Sequence, residues 1–171
     1  SPEGSSLIQR NLSVWFHALA GVTWVGLLYY FNFVQVPAMA DALADEGGPG
    51  PAAIGKYIAP KALLWFRMSA AVTWLTGAWA LSLGYGFTNA FLLKPGAEMI
   101  GLGSWLGTIM LFNVWVLIWP NQKKILGMVE ASAEEIAKAK FTAAMASRTN
   151  VVLSVPMLLC MIGAGHGGYL F

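Results

Sequence analysis

The sequence has 171 residues, of which 57% are hydrophobic and only 11% charged, with a mean hydropathy of +0.63. A soluble domain needs roughly 25% charged residues to solvate its surface, so a water-soluble globule is excluded and lipid must cover part of the exterior. The net charge of +2 argues against nucleic-acid binding, and the single Cys160 excludes an intramolecular disulfide, a C-x-x-C-H haem attachment and cysteine-based zinc or iron–sulfur sites.

Residues 1–11 are polar and lack the basic start of a cleavable signal, so the first span is expected to direct insertion itself. A spanning helix needs about 20 mainly apolar residues. Windows at 12–34, 62–83, 100–119 and 150–169 satisfy this, the third ending at Pro120. In lipid the backbone must bond within each segment, which makes these helices rather than strands. The connection 35–61 holds Asp41, Asp45, Glu46 and the run Gly47-Gly48-Pro49-Gly50-Pro51, which no helix continues through. Residues 84–99 are mostly apolar and expected in the interface. The stretch 121–148 carries Glu134 and Lys138 at i,i+4 among alanines and reads as a water-facing helix, about 130–148, leading into the fourth span. Pro156 is expected to kink that span, with Ser154 or Asn150 serving the carbonyls it frees.

The expected fold is an all-α membrane protein, a single domain over 1–171 forming an antiparallel bundle of four transmembrane helices. Lys56, Lys61, Lys123, Lys124, Lys138, Lys140 and Arg148 fall on one side, and Arg10 and Lys94 on the other. Positive residues stay inside, so both termini are expected on the outer, periplasmic side of a bacterial inner membrane. Trp15 and Trp105 match an outer aromatic belt, and Trp65 and Trp119 an inner one. Trp24, Trp74, Trp79 and Trp115 lie deeper, as packing residues, as does Cys160.

Both histidines of the chain fall inside spans. At 1.5 Å per residue, His17 lies about 27 Å from the inner end of its helix and His166 about 24 Å from that of its own, so the two share a level near the outer face. Two imidazoles on different helices at one depth suit axial ligation of a haem b. Gly21, Gly163, Gly165, Gly167 and Gly168 would leave room for a flat macrocycle, and Arg10 could accept its propionates. The same residues also suit structural hydrogen bonding, with Gly163 and Gly167 as a close-packing pair, or a proton or metal role. Toward the inner end, Arg67 and Arg148, with Asn113 and Asn150, are candidates for an anionic substrate or lipid phosphate, and the arginines equally suit snorkelling to headgroups. No soluble-enzyme motif (Walker loop, G-x-G-x-x-G, H-E-x-x-H or G-x-S-x-G) is present.

The segments F-H-A-L-A-G-V-T-W-V-G-L-L-Y-Y-F-N-F-V (16–34), W-F-R-M-S-A-A-V-T-W-L-T-G (65–77), F-N-V-W-V-L-I-W-P-N-Q-K-K (112–124) and S-R-T-N-V-V-L-S-V-P-M-L (147–158), followed by His166, resemble the membrane domain of bacterial membrane-bound urate oxidases. The resemblance covers all four spans, and the last two segments are its most specific part. It implies a redox-linked membrane protein and falls on His17, Arg67, Asn113, Trp115, Arg148, Asn150 and His166. Members of that family are longer, with further spans and a C-terminal c-type cytochrome, and this sequence has no C-x-x-C-H.

Three functions are therefore in view. The first is a haem b-binding, cytochrome-like protein that transfers electrons as a subunit of a larger membrane complex, with a periplasmic cytochrome c as a possible partner. The second is an accessory subunit without its own cofactor, packing against a respiratory or photosynthetic complex. The third is a membrane oxidoreductase acting on urate or a similar small anion.

Overall fold

The computed structural model describes residues 2–168, and Tyr169, the expected end of the fourth span, lies outside them. The fold is all-helical, with no strand among the described residues. Helix α1 runs from Pro2–Tyr30 through a π-turn at Phe31–Gln35 into Val36–Ala44. Helix α2 joins a π-turn at Ile54–Ile58 to Ala59–Leu83. A short α3, Phe87–Phe91, precedes α4, which runs from Glu98–Phe112 through a π-turn at Asn113–Ile118 into Trp119–Ile125. Helix α5 is Ala133–Gly165.

The π-turns follow from the prolines. Val36 donates its N–H five residues back to Phe31, Ala59 to Ile54 and Trp119 to Val114, and each donor immediately precedes Pro37, Pro60 or Pro120. A proline has no N–H for the carbonyl four back, and its ring collides with it. Widening the preceding turn accommodates the ring and lets the helix continue. Pro120 therefore does not end the third long helix as expected, and α1 likewise continues past Gln35 to Ala44. The expected inner helix and fourth span are one helix, α5, opened by a Ser132–Glu135 capping box. Pro156 corrects a further expectation. Ser154 Oγ donates to Val151 O at 2.7 Å and Asn150 Nδ2 to Met110 O at 3.1 Å, while the carbonyl that loses its helical donor to Pro156 is that of Val152.

Three helices, Glu3–Ala44, Glu98–Ile125 and Ala133–Gly165, are long and apolar enough to cross a membrane. In α2 the aliphatic content is diluted by Trp65, Ser69, Thr73, Trp74, Thr76 and Trp79. Helix α1 packs chiefly along α2, and α4 along α5. The core joins Trp24, Leu28 and Phe31 of α1 to Leu63, Phe66 and Ala70 of α2, Met110 and Val114 of α4 and Met157 of α5. Phe31 meets Phe66 edge-on at 5.4 Å. Between helices in lipid, apolar burial gains little, so close contact and interhelical hydrogen bonds carry the association. Trp74 Nε1 donates to Thr108 Oγ1 at 2.9 Å across α2 and α4. A Cβ on Gly101 would fall on the carbonyl of Ala90, so this glycine is what lets α3 lie against α4.

Candidate functional site

His17 stands on the interior line of α1 that continues through Trp24, Leu28 and Phe31. Its half-buried ring lies against α2, where Nδ1 bonds to Thr73 O at 2.7 Å. A Cβ on Gly77 would come within 2.9 Å of the ring, so only glycine there admits it. His166 falls three residues beyond Gly163 on the buried line Ser154, Met157, Cys160. It caps α5, exposed, with Nδ1 on Ile162 O at 2.8 Å. A carbonyl only accepts, so in each neutral ring Nδ1 carries the proton and Nε2 keeps the lone pair.

Two hydrogen bonds relate the helices that carry the histidines. The Tyr29 hydroxyl and Ser154 Oγ are 2.7 Å apart, and Asn32 Nδ2 donates to Ser147 Oγ at 2.8 Å. These bonds fix α1 and α5 as antiparallel neighbours. From Tyr29 to His17 is twelve residues and from Ser154 to His166 also twelve, whereas from Asn32 to His17 is fifteen and from Ser147 to His166 nineteen. Among the described residues no group of three or more His, Cys, Asp or Glu side chains gathers.

Gly21 and Gly163 face protein, whereas Gly165 and Gly167 face open space. A Cβ on Gly163 would meet the Met99 side chain at 2.8 Å, and one on Gly21 would touch Thr73 at 3.7 Å. Gly167 has φ +98 and turns the chain after α5, where Gly168 N bonds to Gly163 O. A cleft of about 220 Å³ opens beside it, lined by Tyr85, Glu98, Met99 and Ala164 among others. Tyr85 closes one side by donating to Ala164 O at 2.9 Å.

The polar residues toward the other end of the bundle divide. Asn113 Nδ2 donates to Asn150 Oδ1 at 2.8 Å, both side chains buried, and Asn150 in turn donates to Met110 O. Met110 lies just before the helix widens into its π-turn. Arg67 stacks on Trp119, its Cζ 3.8 Å from the ring centroid. Arg148 is exposed. The indole N–H groups of Trp24 and Trp115 are buried without an acceptor among the described residues. The residues that sequence reasoning missed are Tyr29, Asn32 and Ser147. Their signal was available, since Tyr29 and Asn32 are polar within an otherwise apolar window.

No curated protein and no solved structure matches the chain. The family model described as "Urate oxidase N-terminal" matches residues 85–171, just over half of the chain. That match takes in α4 and α5, with Asn113, Trp115, Arg148, Asn150 and His166, and the chain belongs to the urate oxidase N-terminal family.

Proposed function

We propose that the chain is a haem b-bearing, electron-transferring subunit of a larger membrane redox complex. In this reading α1, α2, α4 and α5 each cross a bacterial inner membrane, with both termini periplasmic and a cytochrome c as electron partner. The observation that carries it is that His17 and His166 each lie twelve residues from the Tyr29–Ser154 contact with Nδ1 bonded to a carbonyl, which would leave Nε2 to hold iron. This is the tautomer that axial ligation uses, and carbonyls in that position orient a ligand ring and raise its basicity. The donor chemistry thus fits the group, which when bound supplies one-electron transfer at iron.

The chain's own residues position and tune. Thr73 and Ile162 hold the two rings in orientation through their carbonyls. Gly77 admits the first ring against α2. Arg10, on the outer side beside Gly84, offers a cation to carboxylates. The charge bias of the connections supports the orientation.

A pyridine haemochrome spectrum of the purified protein tests this reading. Wild type should show a haem b band, and His17→Ala and His166→Ala should each lose it or convert it to a high-spin form. A folded wild type without the band would leave an accessory subunit without its own cofactor. Retention by both variants would exclude bis-histidine ligation.

Family membership favours a second reading, oxidation of urate or a similar small anion, with Arg67, Arg148, Asn113 and Asn150 nearest its binding. Urate turnover with an artificial electron acceptor tests it, and no turnover by the haem-loaded protein would count against it.

A further inference from the structure

Trp119 opens the last segment of α4, and two cations converge on its ring. Arg67 Cζ lies 3.8 Å from the ring centroid and Lys123 Nζ 5.8 Å from it. Both cations are half-buried, and neither has an ion pair or side-chain hydrogen bond with any described residue. Lys124, by contrast, feels the carboxylate of Glu135. A π-face attracts cations but leaves the in-plane N–H edges of a guanidinium unbonded, and Arg presents five such donors in a fork. Two like charges on one ring repel, and no carboxylate among the described residues pairs with either. An oxyanion between them would do so and would accept the fork in the bidentate way that phosphate does.

The surroundings select the source of that oxyanion. Next to Arg67 on α2, Leu64, Trp65 and Met68 are 44%, 66% and 45% exposed, an apolar surface suited to acyl chains. Trp65 and Trp119 are the aromatic residues expected at headgroup level, and basic pockets between membrane helices take anionic lipid heads. We propose that Arg67 and Lys123, held on the face of Trp119, form a seat for the phosphate of an anionic phospholipid, at the lysine-rich end of the bundle and between α2 and α4. The seat lies at the end away from His17 and His166, so it stands or falls independently of haem binding. It assigns Arg67 to lipid rather than to a redox substrate.

The test is native mass spectrometry of the full chain, released from mixed phosphatidylglycerol and phosphatidylcholine, with haem absorbance recorded separately. Wild type should retain one phosphatidylglycerol at least tenfold over phosphatidylcholine. Arg67→Gln and Lys123→Gln should each lose that preference, while Lys140→Gln, on the exposed face of α5, should keep it. Should Arg67→Gln fail to fold by circular dichroism, Lys123→Gln and Trp119→Leu carry the same expectation. Equal retention of the two lipids by wild type overturns the proposal, as does an undiminished preference in the folded Lys123→Gln and Trp119→Leu variants. Displacement of the lipid by millimolar inorganic phosphate would assign the seat to a free oxyanion and overturn the lipid assignment.

Discussion

The hydroxyl of Tyr29 donates to Ser154 Oγ, and this bond sets the register of α1 against α5. The direction follows from proton counting, because Ser154 spends its single proton on Val151 O and the 2.7 Å contact with Tyr29 must use the phenol's. Interhelical hydrogen bonds in membrane proteins contribute about 0.6 kcal/mol on average and about 1.7 at most. Tyr29→Phe keeps the ring and removes the donor, so it should destabilise the bundle within that range. Thermal unfolding in detergent measures it. A loss well beyond that range would mean that the hydroxyl holds more than Ser154.

His17 reaches Thr73 only because residue 77 has no Cβ. Gly77→Ala would place a methyl 2.9 Å from Cε1 of the imidazole, and the ring must move off the Thr73 carbonyl. Gly107→Ala adds a methyl to open space and should be neutral, or stabilising by up to about 1 kcal/mol through helix propensity. In haem-loaded protein, Gly77→Ala should shift the low-spin absorbance and Gly107→Ala should not. Identical spectra for the two variants would show that the position of His17 does not govern the haem.

Asn113 and Asn150 satisfy each other in the core, so removing one strands the other. Asn150→Leu leaves the buried Asn113 amide without its acceptor, at a cost of about 1–3 kcal/mol, while the Met110 carbonyl keeps the backbone N–H of Asn113. Asn113→Leu combined with Asn150→Leu removes that orphan and should recover part of the loss. A double-mutant cycle in detergent reads the coupling, and strict additivity would show that the two amides do not act as a pair.

Much of this fold was legible because lipid imposes a simple rule: apolar windows long enough to span must be helices. The all-α class and the breaker at Gly47–Pro51 came from composition and counting alone. Helix ends were misread at Gln35 and Pro120, since a proline stops a helix only if the turn before it stays at four residues. Here Val36, Ala59 and Trp119 each bond five residues back, so each helix widens before its proline and continues past it. The glycines misled in a related way. Gly163 reads as space beside a ligand, but the side chain that occupies it is Met99, 64 residues earlier in the chain. Arg67 was visible as a membrane cation, whereas its stack on Trp119 depended on how α2 lies against α4.

The start of α5 should respond to acid without disturbing the core. Glu135 accepts from Ser132 N at 2.8 Å while its own N–H bonds to Ser132 Oγ at 3.2 Å. The backbone bond first, then the Ser132 hydroxyl and the charge of Lys124, hold this carboxyl below its ordinary value. A group whose folded value is depressed stabilises the fold fully above its unfolded value, and that contribution disappears as pH falls through the folded one. Amide exchange around the first turn, at Ser132, Glu135 and Ile136, whose N–H groups the cap bonds, should therefore be slowed at neutral pH and accelerate in acid beyond the intrinsic trend, while amides near Asn150 stay protected. Glu135→Gln retains an acceptor for Ser132 N but cannot titrate, so it should flatten this pH dependence. Ser132→Ala removes the cap itself and should fray the same turn at every pH, by about 1 kcal/mol of local stability. If the turn's corrected exchange in wild type proves independent of pH, the capping box is not what holds it.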